Sequence, residues 1–154
     1  MAKSATIQAE RREEARRKLV SYRAQCGIFD KMLAITQNAE SRLVSVTAQY
    51  EETTSSGTAH DTMGDQIIML NDQVERMSAI CASLGETLDE VLDLINGLLP
   101  DHPNVVHVLS KRYLEPSFEP TLAEIAAETG FSEDWVKHLH LQGLDLIAER
   151  IFAE

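Results

Sequence analysis

Residues 63–98 read MGDQIIMLNDQVERMSAICASLGETLDEVLDLINGL, and the spacing of their apolar side chains decides the fold. Met63, Ile67, Leu70, Val74, Met77, Cys81, Leu84, Leu88, Val91, Ile95 and Leu98 follow one another at intervals that alternate between four and three. An unbroken seam of this kind marks a helix that buries one narrow stripe against another helix. A weaker copy runs upstream through Leu19, Tyr22, Cys26, Phe29 and Leu33, then Ala39, Leu43, Val46 and Tyr50. It slips phase near Thr36, where Met32 and Ile35 offer another stripe. Between the two seams lies a polar run from Thr53 to Asp61 that contains Gly57, a loop composition, and Asp61 or Thr62 can cap the second helix. Residues 15–99 therefore predict a long antiparallel helical hairpin, coiled-coil-like, with its loop near 53–61 and arms of about 55 Å. Folding the chain about residue 58 sets Tyr50 against Ile67, Leu43 against Val74, Leu19 against Leu98, Cys26 against Val91 and Thr36 against Cys81. The two cysteines then sit about 15 Å apart along the axis, beyond disulfide reach.

The rest of the chain agrees with an all-α protein. Its 154 residues include only 7 Gly and 4 Pro, and aromatics make up 5 %. Apolar residues make up 44 %, too many for a wholly disordered chain. No run of apolar residues is long enough for a membrane span. The charged start, Arg11-Arg12-Glu13-Glu14, is unlike a secretory signal, so a cytoplasmic protein without membrane attachment is expected. The formal net charge is −11, which argues against a protein that coats nucleic acid by bulk electrostatics. That charge is unevenly spread. Residues 1–54 carry 9 basic and 7 acidic groups, residues 55–103 carry 1 and 9, and residues 104–154 carry 4 and 9. The first two segments differ in sign and suit a side-by-side arrangement. Residues 1–14 read as a flexible basic lead. A two-helix hairpin has a thin core, so it needs the C-terminal segment, a second copy or a partner against it. Leu92, Leu94 and Leu99 widen the stripe at its base, where that packing would begin. A homo-oligomer is one expected outcome.

The C-terminal third, 104–154, has a different punctuation. Pro100-Asp101-His102-Pro103 ends the long helix. Asn104 is placed to cap a short helix over 105–114, and the next segment, with Pro116 and Pro120, reads as a loop. Thr121 followed by Glu124 is a capping box that opens a helix to Thr129. Gly130 suits a helix C-terminus and Phe131 the turn. Ser132 caps a last helix reaching about Ile151, with Trp135, Val136, Leu139, Leu144, Ile147 and Ile151 as its apolar positions. Helix, short Gly-containing turn, helix is the sequence form of a helix-turn-helix.

Residues 108–147, VLSKRYLEPSFEPTLAEIAAETGFSEDWVKHLHLQGLDLI, resemble region 4 of bacterial primary sigma factors through Arg112, Tyr113, Leu122, Glu124, Ile125, Ala126, Gly130, Ser132, Val136 and Leu144. The chain is more similar to a group of small phage-encoded proteins of Gram-positive bacteria, with a helical hairpin before a sigma-region-4-like end. Their last helix reads S-x-x-W-V-x-x-L-H, matched by Ser132, Trp135, Val136, Leu139 and His140. The resemblance covers about residues 15–150 and implies a regulator of transcription that binds promoter DNA with its last helix near RNA polymerase. It implies DNA contacts from Ser132, Glu133, Asp134, Lys137, His138 and Gln142, with Thr121 and Lys111 or Arg112 nearer the backbone. This sequence departs from that pattern in charge, because Lys137 is the only cation before Arg150 on the last helix. Few phosphate contacts follow, so binding would depend on a dimer, on RNA polymerase, or on an auxiliary basic patch formed by Arg11, Arg12, Arg16, Arg17 and Lys18. The patch also reads as a solvated helix face with Glu13–Arg17 and Glu14–Lys18 pairs.

Two other functions remain open from the residues. One is a protein–protein module for polymerase or a host factor, whose helix-turn-helix has lost DNA affinity. The other is a small terminase-like packaging protein. No Walker motif, dinucleotide loop, G-x-S-x-G or H-E-x-x-H is present, so no enzyme and no cofactor are expected. His138 and His140 point about 200° apart on a helix and are not expected to share a metal; His140 is expected to be packed or hydrogen-bonded beside Trp135.

Overall fold

A computed structural model describes residues 2–55, 61–116 and 118–153, and every regular element among them is helical. Helix α1 spans Ala2–Ser55 and α2 spans Asp61–Asn96. Then come α3 (Pro103–Leu109), a π-helical turn over Ser110–Leu114, α4 (Leu122–Thr129) and α5 (Glu133–Ile151). No helix among the described residues is long and apolar enough to cross a membrane. The centre of the expected loop, residues 56–60, lies outside the described residues, and so do the side chains of the proposed caps Asp61 and Thr62, whose backbone is already in α2.

The chain divides into two compact units, Gly27–Glu86 and Met1–Cys26 with Thr87–Glu154. Within Gly27–Glu86, α1 and α2 pair antiparallel. Thr36 Oγ1 lies 3.7 Å from Cys81 Sγ, the pairing that folding about residue 58 requires. A Cβ on Gly85 would touch the Phe29 ring at 3.7 Å, and one on Gly64 would touch the Tyr50 ring at 3.8 Å. The α2 seam is the inner face: each of its positions is less exposed than the charged residues beside it. The phase slip in α1 also resolves. Met32 is half-buried and Thr36 buried, whereas Leu33 and Ile35 are 38 % and 48 % exposed. The seam therefore takes an extra step of three residues between Phe29 and Met32, a local overwinding that lets it continue through Thr36, Ala39, Leu43, Val46 and Tyr50. The Thr36 hydroxyl is satisfied by donating to the Met32 carbonyl at 2.7 Å. This unit's core is thin: among its described residues only Thr36, Ala39 and Leu70 are buried.

The other unit has a continuous core. Ala15 and Leu19 of α1 and Val91 and Ile95 of α2 join Leu98, Val105, Val106, Val108 and Leu109. Tyr113, Ile125, Ala126, Val136, Leu139, Leu144, Ile147 and Ala148 complete it. The start of α1 and the end of α2 thus share one core with the C-terminal helices. Leu94 packs at its margin, but Leu99 stays 48 % exposed.

Three local expectations change. Residues 2–14 are the first turns of α1 rather than a flexible lead: no Pro or Gly interrupts the stretch, and Ala15 is fully buried just beyond it. Asn104 is not the cap of α3; His102 holds that position without a side-chain bond, and Pro103 opens the helix, where its missing N–H costs nothing. The helix expected over 105–114 begins at Pro103 and widens into a π turn at Ser110. It stops where Glu115 turns extended ahead of Pro116.

Candidate nucleic-acid interface

The start of α5 is fixed by local chemistry. The Thr121 hydroxyl accepts the Glu124 N–H at 3.1 Å and starts α4. Gly130 ends α4 with φ 81°, a left-handed conformation in which any side chain would be strained, and its N–H donates to the Ala126 carbonyl. The Ser132 hydroxyl then accepts the Trp135 N–H at 3.1 Å and starts α5. Phe131, between the two, packs against the core.

On α5, Val136, Leu139, His140, Gly143, Leu144, Ile147 and Ala148 are buried. Gly143 permits close approach: a Cβ there would meet the Leu109 side chain of α3 at 2.9 Å. The expectation for Trp135 is corrected. It is 43 % exposed, because the inner stripe begins one residue later and places position 135 about 100° off it. Its ring stacks on the exposed His138, with centroids 5.2 Å apart. His140 is also corrected. It does not pair with Trp135 but lies in the core, where Nε2 is 2.6 Å from the Tyr113 hydroxyl. Burial, reinforced by the cations Arg112 and Arg16, pushes its pKa down to about 4, so this imidazole is neutral. Burial also raises the Tyr113 hydroxyl.

The outer face of α5 carries most of the candidate residues. Ser132, Glu133, Asp134, Lys137 and His138 are exposed, and Gln142 is half-buried. Glu133 and Asp134 lie in the first turn, where the helix dipole favours acids. Lys137 Nζ is 3.5 Å from Glu133 of its own helix. The candidates on the other elements are engaged within the fold. Thr121 is a cap, and Lys111 pairs with Glu128 at 2.9 Å. Arg112 donates from Nη1 to the Pro120 carbonyl at 2.6 Å, with Nε 3.2 Å from Glu119, and so closes the 115–120 loop.

The auxiliary basic patch is likewise engaged. Arg12 forms a two-pronged bond with Asp145, Nε to Oδ1 at 2.8 Å and Nη2 to Oδ2 at 2.9 Å, and that bond raises the pKa of the guanidinium. Arg11 lies over the Phe152 ring, 5.1 Å from its centre. The pairs on the helix face are Glu13–Arg16 and Glu14–Arg17, both at 3.6 Å, instead of Glu13–Arg17 and Glu14–Lys18. Lys18 reaches Glu90 of α2 at 3.7 Å. Arg23, which sequence reasoning passed over, donates to the carbonyls of Arg112 and Glu115. No sequence signal ties it to that loop, nor Arg12 to Asp145, because each pair is far apart along the chain. No protein-family model, curated protein or solved structure matches the chain.

Proposed function

We propose that this chain is a DNA-binding regulator of transcription that reads promoter DNA with the outer face of α5, beside RNA polymerase. One observation carries the reading. The left-handed Gly130 and the two side-chain caps fix the start of α5, and the stripe Asp134–His138–Gln142 faces away from the residues that form the core. A rigidly set helix with an unused polar outer face is the geometry of a major-groove reader. The likeness to small phage proteins with a sigma-region-4-like end agrees with it, and implies the cytoplasm of a bacterial host as its setting. Charge sets the mode. Lys137 pairs with Glu133, and Glu133 and Asp134 would repel phosphates, so base-edge contacts outnumber phosphate contacts and the salt dependence is shallow. The thin core of Gly27–Glu86 leaves Val44, Ile68 and Met69 exposed, which favours a dimer that doubles the contacts.

The test is selection of duplexes from a randomised pool, followed by fluorescence anisotropy across a salt series with and without RNA polymerase. Specific binding with a small salt slope is expected. Absence of any selected duplex under both conditions refutes the reading. A second reading, docking onto a polymerase subunit, is favoured by Trp135 and Leu141, 43 % and 44 % exposed on the same helix. Cross-linking to purified polymerase through α5, without DNA, would distinguish it.

A further inference from the structure

The stripe that carries Asp134 and His138 does not end at Gln142. At helical spacing it continues through Asp145 and Glu149, so these five residues lie along one side of α5. Its two halves differ in surroundings. Asp134 and His138 are open to solvent. Asp145 is clasped by Arg12, and Ile7, Gln8 and Arg11 of α1 line a groove with Asp145, Ala148 and Glu149. The first turns of α1 therefore border the second half of the face whose first half is the candidate reader, with Asp145 half-buried against them and Glu149 exposed. What holds them there is largely ionic. Between Ala2 and Glu14 no residue is buried, and the ion pair to Asp145 leaves both side chains about one-third exposed.

We infer that the first turns of α1 form a strap, latched by Arg12 on Asp145, that restricts α5 to its first two turns until the latch opens. This inference rests on the DNA-reading function proposed for α5. Opening moves the first turns of α1 away from the edge of α5, so that DNA can approach beyond Gln142, and releases Arg11 for phosphates. A binding-competent state that is only partly populated weakens the apparent affinity by its population, so loosening the latch strengthens binding.

Arg12→Lys and Arg12→Gln test this in the full-length chain. Lys keeps the charge but loses the two-pronged geometry, and Gln loses both. Without a strap, loss of a positive charge weakens DNA binding. With the strap, both variants bind the selected duplex more tightly, by about three-fold for a partly exposed ion pair. Amide exchange over residues 2–14 also becomes faster, with circular dichroism unchanged. Unchanged or weaker binding in both variants overturns the strap while leaving the DNA reading intact. Unchanged exchange over residues 2–14 overturns it as well. Failure of wild type and variants alike to select any duplex overturns both together.

Discussion

Acid should loosen this protein through one side chain. His140 is buried beside Tyr113, and its pKa is pushed down to about 4 by loss of solvent and by the nearby cations Arg112 and Arg16. In the unfolded chain the imidazole returns to about 6.5. Between those values the unfolded state binds more protons than the folded one, so the stability tied to neutral His140 is complete above about pH 6.5 and falls as the pH drops toward about 4. At about 1.4 kcal/mol per pH unit the whole displacement is worth about 3 kcal/mol, and about 2 kcal/mol of it is gone by pH 5. Urea unfolding followed by circular dichroism, at steps from pH 7.5 to 5, reads this directly. His140→Gln offers the Tyr113 hydroxyl an acceptor that does not titrate. The wild type should lose about 2 kcal/mol more than this variant over that range. Parallel profiles for the two proteins would refute the assignment of a neutral, buried imidazole.

Gly143→Ala should destabilise the protein by about 1–2 kcal/mol despite the better helix propensity of alanine, because its Cβ would press on the fully buried Leu109 side chain. Thermal unfolding measures this, and Leu109→Ala in the same chain should recover part of the loss beyond additivity. Gly130→Ala, with φ at 81°, should cost about 1–2 kcal/mol in the same assay and should weaken binding of any selected duplex, because it disturbs the turn that aims α5.

Much of the architecture was legible because it rests on local rules. The strict spacing from Met63 to Leu98 is a one-dimensional signal, and the structure turns that stripe inward throughout. The Thr121 and Ser132 caps and the left-handed Gly130 were also legible, since each acts on backbone groups a few residues away. What escaped depends on partners remote in sequence. The neutral His140, the Arg12 clasp on Asp145 and the Arg23 bonds to the 112–115 carbonyls join residues from 27 to 133 positions apart. Trp135 lies between these cases. The inner stripe from Val136 through Leu139, Gly143 and Ile147 already excludes position 135, but an aromatic side chain invites assignment to the core.

The same contrast bears on the net charge of −11, which at first counts against nucleic acid. A charge total assumes that groups act on a partner one by one, yet many of the basic groups here already have neighbours within the protein. Arg11, Arg12, Arg16, Arg17 and Lys18 each have an acidic or aromatic neighbour, and so do Lys111, Arg112 and Lys137. A cation already paired adds little to phosphate binding unless the partner releases it. Total charge therefore ranks below the release of these pairs as a control on affinity. That order can be measured. Neutralising the exposed Asp134 should strengthen binding by a simple charge increment, whereas loosening Arg12 should do so although the variant Gln removes a positive charge. If affinity followed net charge alone in both variants, the ordering would be reversed and the ion pairs would be surface decoration.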